Sequence, residues 1–187
     1  MSQQALLKRI VEALDGAGIA YMLTGSLASS LQGEPRATHD IDLVIDMAPG
    51  DVTRVTRALS APGVYLDEHA VSDATRRRTM FLIESSSADK ADFWLLTDDP
   101  YDRERFARRT RVEALGLELS VSTPEDTILM KLRWSAQAGG SEKHLGDALR
   151  VYELQAGSLD EGYLDQWAVR LDVAAALAAI RSQAQAG

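Results

Sequence analysis

The segment Asp40-Ile41-Asp42-Leu43 sets two carboxylates two residues apart inside an apolar run, 39–46, that reads as a strand. Side chains alternate faces along a strand, so Asp40 and Asp42 share one face and Ile41, Leu43 and Ile45 the other. Neighbouring carboxylates raise each other's pKa, and a hard divalent cation relieves the repulsion. Magnesium takes oxygen ligands from one or two carboxylates and from phosphate. The competing reading is a pair of solvated acids on an exposed strand edge. A second segment, Leu23-Thr24-Gly25-Ser26-Leu27, joins a short apolar strand to a short helix. Glycine allows close backbone approach, and the N–H groups of a helix start suit a phosphate together with a serine hydroxyl. An ordinary turn capped by Ser26 would look the same. No second glycine followed by Lys-Ser or Lys-Thr is present, so this is not a P-loop. Asp92 is a lone acid between Ala91 and Phe93. Such an acid is costly to bury unless it is paired or bound to metal, or else it faces solvent from an edge strand.

These residues need a mixed scaffold. Leu6, Leu7, Ile10, Val11 and Leu14 have helical spacing over 3–15, and 19–23 reads as a buried strand. A helix over 27–31, the 39–46 strand, a helix from Pro49 to Leu59 and a strand at 64–66 follow. Then come a helix over 68–77 and strands at 79–84 and 90–96, joined by the 85–89 hairpin loop. A charged helix over 101–111 precedes a small hairpin, 112–115 and 117–121, around Gly116. From Thr123 the pattern is helical only: 124–137, 143–156, 160–169 and 171–184. Thr123-Pro124-Glu125-Asp126 supplies a capping threonine, a proline at the first helical position and an acid three residues on. The expected organisation is an α/β lobe, 1–121, followed by a helical lobe, 122–187, packed against it. The last residues, 182–187, read as a fraying tail.

Composition excludes several classes. The 187 residues carry 20 basic and 28 acidic side chains, a net charge of −8 and no cysteine. Disulfides, cysteine-ligated metals and thiol nucleophiles are therefore excluded, and a general nucleic-acid coat is disfavoured. No apolar run approaches the ~18 residues that span a bilayer. The start at Met1 has the look of an amphipathic helix rather than a signal peptide, so a cytoplasmic protein with no membrane partner is expected. His39, His69 and His144 are too scattered to form a zinc site. The arginines at 76–78 and at 103, 105, 108, 109 and 111 could contact a triphosphate or an RNA acceptor, but read as solvated helix faces, those near the helix end offsetting its dipole. Trp94, Trp134 and Trp167 are expected to pack the core or the lobe interface.

Taken in order, a strand, Gly25-Ser26, a helix, Asp40-Ile41-Asp42-Leu43 and a later Asp92 resemble the nucleotidyltransferase superfamily that includes DNA polymerase beta. Arg36-Ala37-Thr38-His39-Asp40 looks like its small bacterial stand-alone members. The second half, with Ser122–Asp126, Lys131-Leu132 and Lys143–Asp147, is similar to the AbiEii toxin-like branch. The resemblance implies that Asp40, Asp42 and Asp92 hold two magnesium ions, with Asp92 also accepting a proton. It implies nucleotide binding by Gly25, Ser26, Lys131 and Asp147. Arg36 either neutralises phosphate or merely covers the loop. Lys131 could instead snorkel from an apolar helix, and Asp147 could pair with Lys143 or Arg150. The implied reaction moves a nucleoside monophosphate from a nucleoside triphosphate to a hydroxyl of RNA, protein or a small molecule, releasing pyrophosphate, in a cleft between the lobes. An antitoxin-like partner is also implied. Two rivals remain: a module of the same fold that binds nucleotide or a partner without turnover, and a metal-dependent phosphohydrolase.

Overall fold

The computed structural model describes residues 2–87 and 89–186, so Met1, the Ala88 position of the hairpin loop and Gly187 lie outside the described residues. The chain divides into two compact units. One comprises the chain up to Thr24 together with Thr38–Val121, and the other Gly25–Ala37 together with Ser122 onward.

The first unit is built on a mixed seven-stranded sheet. Its strands are β1 (Ala20–Thr24), β2 (Asp40–Asp46), β3 (Val64–Tyr65), β4 (Met80–Ser85), β5 (Lys90–Leu95), β6 (Thr110–Ala114) and β7 (Leu117–Val121), in the order β3-β4-β5-β2-β1-β7-β6. β2 runs antiparallel to β1 and parallel to β5, and β4 runs antiparallel to β5. Both acid-bearing strands are thus interior, which overturns the edge-strand alternative for Asp40, Asp42 and Asp92 alike. Alternation assigns the faces. Ile41, Leu43 and Ile45 are fully buried, and Phe81 and Phe93 stack in parallel with ring centroids 4.8 Å apart on the same side. Helix α1 (Gln3–Gly16) buries Leu6, Leu7, Ile10, Val11 and Leu14, the stripe its spacing predicts. On the opposite face Met22 and Val44 cluster with Leu96 and with Phe106 of the helix over Pro100–Arg108.

Some expectations shift. The charged helix ends at Arg108 rather than 111, because Thr110 already pairs with Val121 in the β6–β7 hairpin. Arg105 in it is buried rather than solvated, paired to Asp102 at 2.9 Å. Pro49–Asp51 forms a 3₁₀ turn ahead of a helix over Val52–Leu59, as is frequent at helix N-termini. Trp94 does not pack the core. It is 44% exposed, because it falls on the same face as Asp92.

The second unit is helical. Helix α2 spans Gly25–Gln32. The C-terminal helices span Pro124–Gln137, Glu142–Leu154, Glu161–Arg170 and Ala174–Ala186, and are called αA, αB, αC and αD below. The tail expected to fray is helical through Ala186. At the start of αA the Thr123 hydroxyl accepts from the Asp126 amide at 3.2 Å and donates to its carboxylate at 2.8 Å. The other Asp126 oxygen accepts from Tyr163 at 2.7 Å, and Glu125 accepts from the Asp160 amide at the start of αC at 2.9 Å. The predicted cap therefore also ties αA to αC. Almost the whole first half of αA is buried, Lys131 included.

Candidate active site

On the outer face of the sheet, register sets side chains in rows across the strands. Asp42 lies opposite Asp92, and Leu82 lies on the far side of Asp92. The next row is Val44, Trp94 and Met80, and the row on the other side is Asp40, Lys90 and Glu84. Strand spacing puts the paired positions about 4.8 Å apart and Asp40 about 8 Å diagonally from Asp92. The sheet thus brings the three predicted acids onto one patch of one face. Burial raises the Asp92 pKa above the ordinary carboxylate value, the charge of Asp40 raises it further, and Lys90 opposes both.

Among the described residues, no three acidic or histidine side chains already converge as a closed metal cage. The fit to magnesium is one of donor chemistry and placement. Three hard oxygen donors share a face, and the partly buried Asp92 carboxyl is held toward its protonated form by a neighbouring acid, a cost that a cation removes.

The helical unit assembles a second group. Gly25 opens α2 with φ of 70°, a left-handed backbone value that glycine adopts without strain. The next residue, Ser26, places its hydroxyl between two cations, accepting from Arg36 Nη2 at 2.7 Å and from Lys131 Nζ at 3.3 Å. Asp147 of αB binds both of those cations. It takes the Arg36 guanidinium through two bonds, 2.7 and 2.8 Å, and Lys131 through one of 2.6 Å. Lys131 is only 1% exposed, so it does not snorkel, and Asp147 pairs with neither Lys143 nor Arg150. Arg150 instead meets Glu34 and Glu153.

The electrostatics follow from this geometry. Burial pushes the Asp147 carboxyl upward, but the hydrogen bonds and charges of Arg36 and Lys131 outweigh it and hold the pKa below the ordinary value. The bond to Asp147 raises the Arg36 pKa against the effect of burial. Two cations converge on a serine hydroxyl at a helix start, an arrangement that suits an anionic oxygen. A cavity of about 450 Å³ adjoins the group, lined by Ser29, Glu34, Arg36, Gly146, Asp147 and Arg150.

Of the residues singled out from sequence, Asp40, Asp42 and Asp92 meet on the sheet, and Ser26, Arg36, Lys131 and Asp147 meet in the helical unit beside Gly25. Sequence reasoning missed His144. It sits one turn before Asp147 on αB, its ring 6.0 Å from that of Trp134, and its Nδ1 is buried without a hydrogen-bond partner. Burial and the charge of Lys131 lower its pKa, Asp147 opposes, and Lys143 and Arg36 lower it slightly more. Helical spacing from Asp147 is the signal that could have found it.

The comparisons agree with this picture. A family model of aminoglycoside-2''-adenylyltransferases matches residues 6–97. No curated protein matches the chain. Among solved structures, the solution structure of the antibiotic-resistance factor ANT(2'')-Ia is similar with a TM-score of 0.58 and 17% identity, over 99% of this chain and 98% of that one. A crystal structure of ANT(2'')-Ia in complex with adenylyl-2''-tobramycin gives 0.56 and 18%, over 97% and 98%. An antigenic nucleotidyltransferase-like protein from Paracoccidioides brasiliensis gives 0.52 and 20%, over 94% and 93%. With its mixed sheet, its flanking helices and the helices that follow, the chain has the fold of the nucleotidyltransferases.

Proposed function

We propose that the protein transfers a nucleoside monophosphate from a nucleoside triphosphate to a hydroxyl group of a small molecule, with release of pyrophosphate. The observation that carries this reading is the register that sets Asp42 opposite Asp92, with Asp40 on the same face. The match to an aminoglycoside-2''-adenylyltransferase model favours a small-molecule acceptor over RNA or protein. It also draws the reading away from the toxin-like branch and from the antitoxin partner which that branch implied.

Each group has a role. Ser26, Arg36 and Lys131 bind the β- and γ-phosphates, and Asp147 holds both cations in place before the nucleotide arrives. Asp40, Asp42 and Asp92 would hold two magnesium ions, which supply charge neutralisation at the phosphoryl oxygens when bound. Asp92 accepts the proton of the acceptor hydroxyl. The acceptor oxygen then forms its bond to the α-phosphorus, the bond from that phosphorus to the bridging oxygen breaks, and pyrophosphate leaves with the electron pair.

The test is label transfer. The protein is incubated with magnesium and each α-phosphate-labelled nucleoside triphosphate, with tobramycin or a small-molecule extract of bacterial lysate as acceptor. Labelled small-molecule product that is lost in Asp40→Ala/Asp42→Ala supports the reading. Nucleotide binding without any product would assign the fold to a binding module, and inorganic phosphate release without pyrophosphate would assign a phosphohydrolase.

A further inference from the structure

At the Ala20 end of β1, away from the end that leads into Gly25, a cavity of about 460 Å³ is lined by Asp15, Tyr21, Arg109, Arg111 and Ser120. All five belong to the first unit. Tyr21 pairs with Ile45, three residues along β2 from Asp42, which is about 10 Å at the rise of a strand. The cavity is therefore separate from the acid patch. Its volume is that of a small-molecule site.

Two opposite charges in its wall are unmatched. Arg109, half-buried rather than solvated, lies over the Phe106 ring at 4.2 Å and donates to the Phe106 carbonyl at 2.5 Å. Among the described residues it has no carboxylate at ion-pair distance. Asp46 meets Arg103 at 3.8 Å, and Glu118 meets Arg111 at 3.2 Å. Burial and the charge of Arg111 push the Arg109 pKa down, and Asp46 opposes them. Asp15 is exposed in the last turn of α1 and likewise has no ion-pair partner among the described residues. It stands at the negative end of that helix's dipole, which favours a cation and disfavours an acid.

The other polar groups of the wall are donors. The Tyr21 hydroxyl accepts from the Ser120 amide at 3.4 Å, which leaves its own hydrogen unused among the described residues, and the Ser120 hydroxyl has no partner there. Both residues are more than nine-tenths buried, at 2% and 6% exposure. A guanidinium beside two hydroxyl donors suits a carboxylate, which it takes through two parallel bonds. Asp15 at a helix C-terminus suits an ammonium. A simple anion would face Asp15, and a simple cation would face Arg109, each at a cost in repulsion. Ile19, Ala20 and Ala107 complete the wall with aliphatic surface.

We infer that this cavity is a second ligand site, which takes a small amino carboxylate with its carboxylate on Arg109 and the Tyr21 and Ser120 hydroxyls and its ammonium toward Asp15. The inference is independent of the transferase reading.

The experiment is a titration of the full, nitrogen-15-labelled chain followed by the amide signals of Ser120 and Ala107. The probes are two isomers that differ in the separation of their charges, L-leucine and 6-aminohexanoate, with hexanoate and hexylamine as controls that each lack one charge. At least one isomer should shift both signals saturably with a dissociation constant of about 1 mM or below. Both controls should bind about tenfold or more weakly. Asp15→Asn should weaken that isomer about tenfold or more without weakening hexanoate, and Arg109→Gln should weaken it as much without weakening hexylamine. Arg109→Gln also gives up the bond to Phe106, so thermal melting checks its fold. Asp15 is exposed, and its variant carries the test if the other does not fold.

Absence of a saturable shift from either isomer up to about 20 mM overturns the inference. So does binding of hexanoate or hexylamine as tight as that of the isomers, and so does isomer binding that Asp15→Asn leaves unchanged.

Discussion

Asp42 and Asp92 lie directly opposite one another in the parallel β2–β5 ladder, on the face of the sheet away from the Phe81–Phe93 stack. Both are partly exposed, and Asp92 is held toward its protonated form by burial and by Asp40. Asp92 in its ionised form therefore stands at some cost to stability and is suited to a cation.

Removing one of these acids should therefore separate activity from stability. Asp42→Ala and Asp92→Asn should each lower the transfer rate by about a thousandfold or more. The melting temperature of Asp92→Asn should be equal to or higher than that of the unaltered protein, since burial and the charge of Asp40 both oppose the ionised Asp92. Initial rates and calorimetric melting of the same samples check this. A large fall in melting temperature would mean that these acids are structural.

Asp147 should behave in the opposite way. In Asp147→Asn the ammonium of Lys131, 1% exposed, loses its ion pair with Asp147, and Arg36 loses two bonds. Removing one partner of a buried ion pair costs about 3–5 kcal/mol. Urea unfolding should show that loss, and Lys131→Met added to Asp147→Asn should recover part of it. The pH dependence has a definite sign. The folded pKa of Asp147 lies below its unfolded value, so its contribution is present above the unfolded pKa and is lost as pH falls through the folded one.

Ser26→Ala removes a neutral acceptor shared by Arg36 and Lys131 but leaves both salt bridges to Asp147. The KM for nucleotide should rise about tenfold, the value of one charge-assisted bond, and the melting temperature should change little. Steady-state kinetics with varied ATP check it. An unchanged KM would remove Ser26 from the phosphate site.

His144 gives a prediction in protons. Its pKa is lowered by burial and by Lys131, with Asp147, Lys143 and Arg36 also facing it. A triphosphate held by Ser26, Arg36 and Lys131 adds negative charge nearby and raises that pKa. Binding then takes up a proton, and affinity grows as pH falls through the interval between the bound and free values. Calorimetric titration of ATP at about pH 6 in two buffers of different ionisation enthalpy measures the uptake. His144→Gln should abolish it. Equal heats in both buffers would show that the histidine does not sense the nucleotide.

Gly33, which follows α2, has no room for a side chain. A Cβ there would lie 3.0 Å from the Ser29 carbonyl and from both the amide and a methyl of Val151. Gly33→Ala should cost about 1–3 kcal/mol through displacement of α2 against αB. Chemical denaturation checks the loss, and a neutral substitution would mean that the two helices separate freely there.

The sequence alone determined the elements and the identity of the acids. Period-two alternation around Asp40 and Asp42 and the apolar runs on either side of Asp92 specify strands whichever way they pair, because the information is local. The Thr123 cap and the apolar stripe of α1 were legible for the same reason. Tertiary structure decided which strands are neighbours. Only the placing of β5 against β2 sets Asp92 opposite Asp42, and only it turns Trp94 and Leu82 outward beside them. It likewise decided the partners of Asp147. Lys143 and Arg150 are closer in sequence, at helical spacing, yet Arg36, 111 residues away, and Lys131, on another helix, hold the carboxylate. Burial is the physical reason: a lysine enclosed in a helix core must find its counter-charge wherever the fold supplies one, whereas exposed neighbours on a helix gain little from pairing.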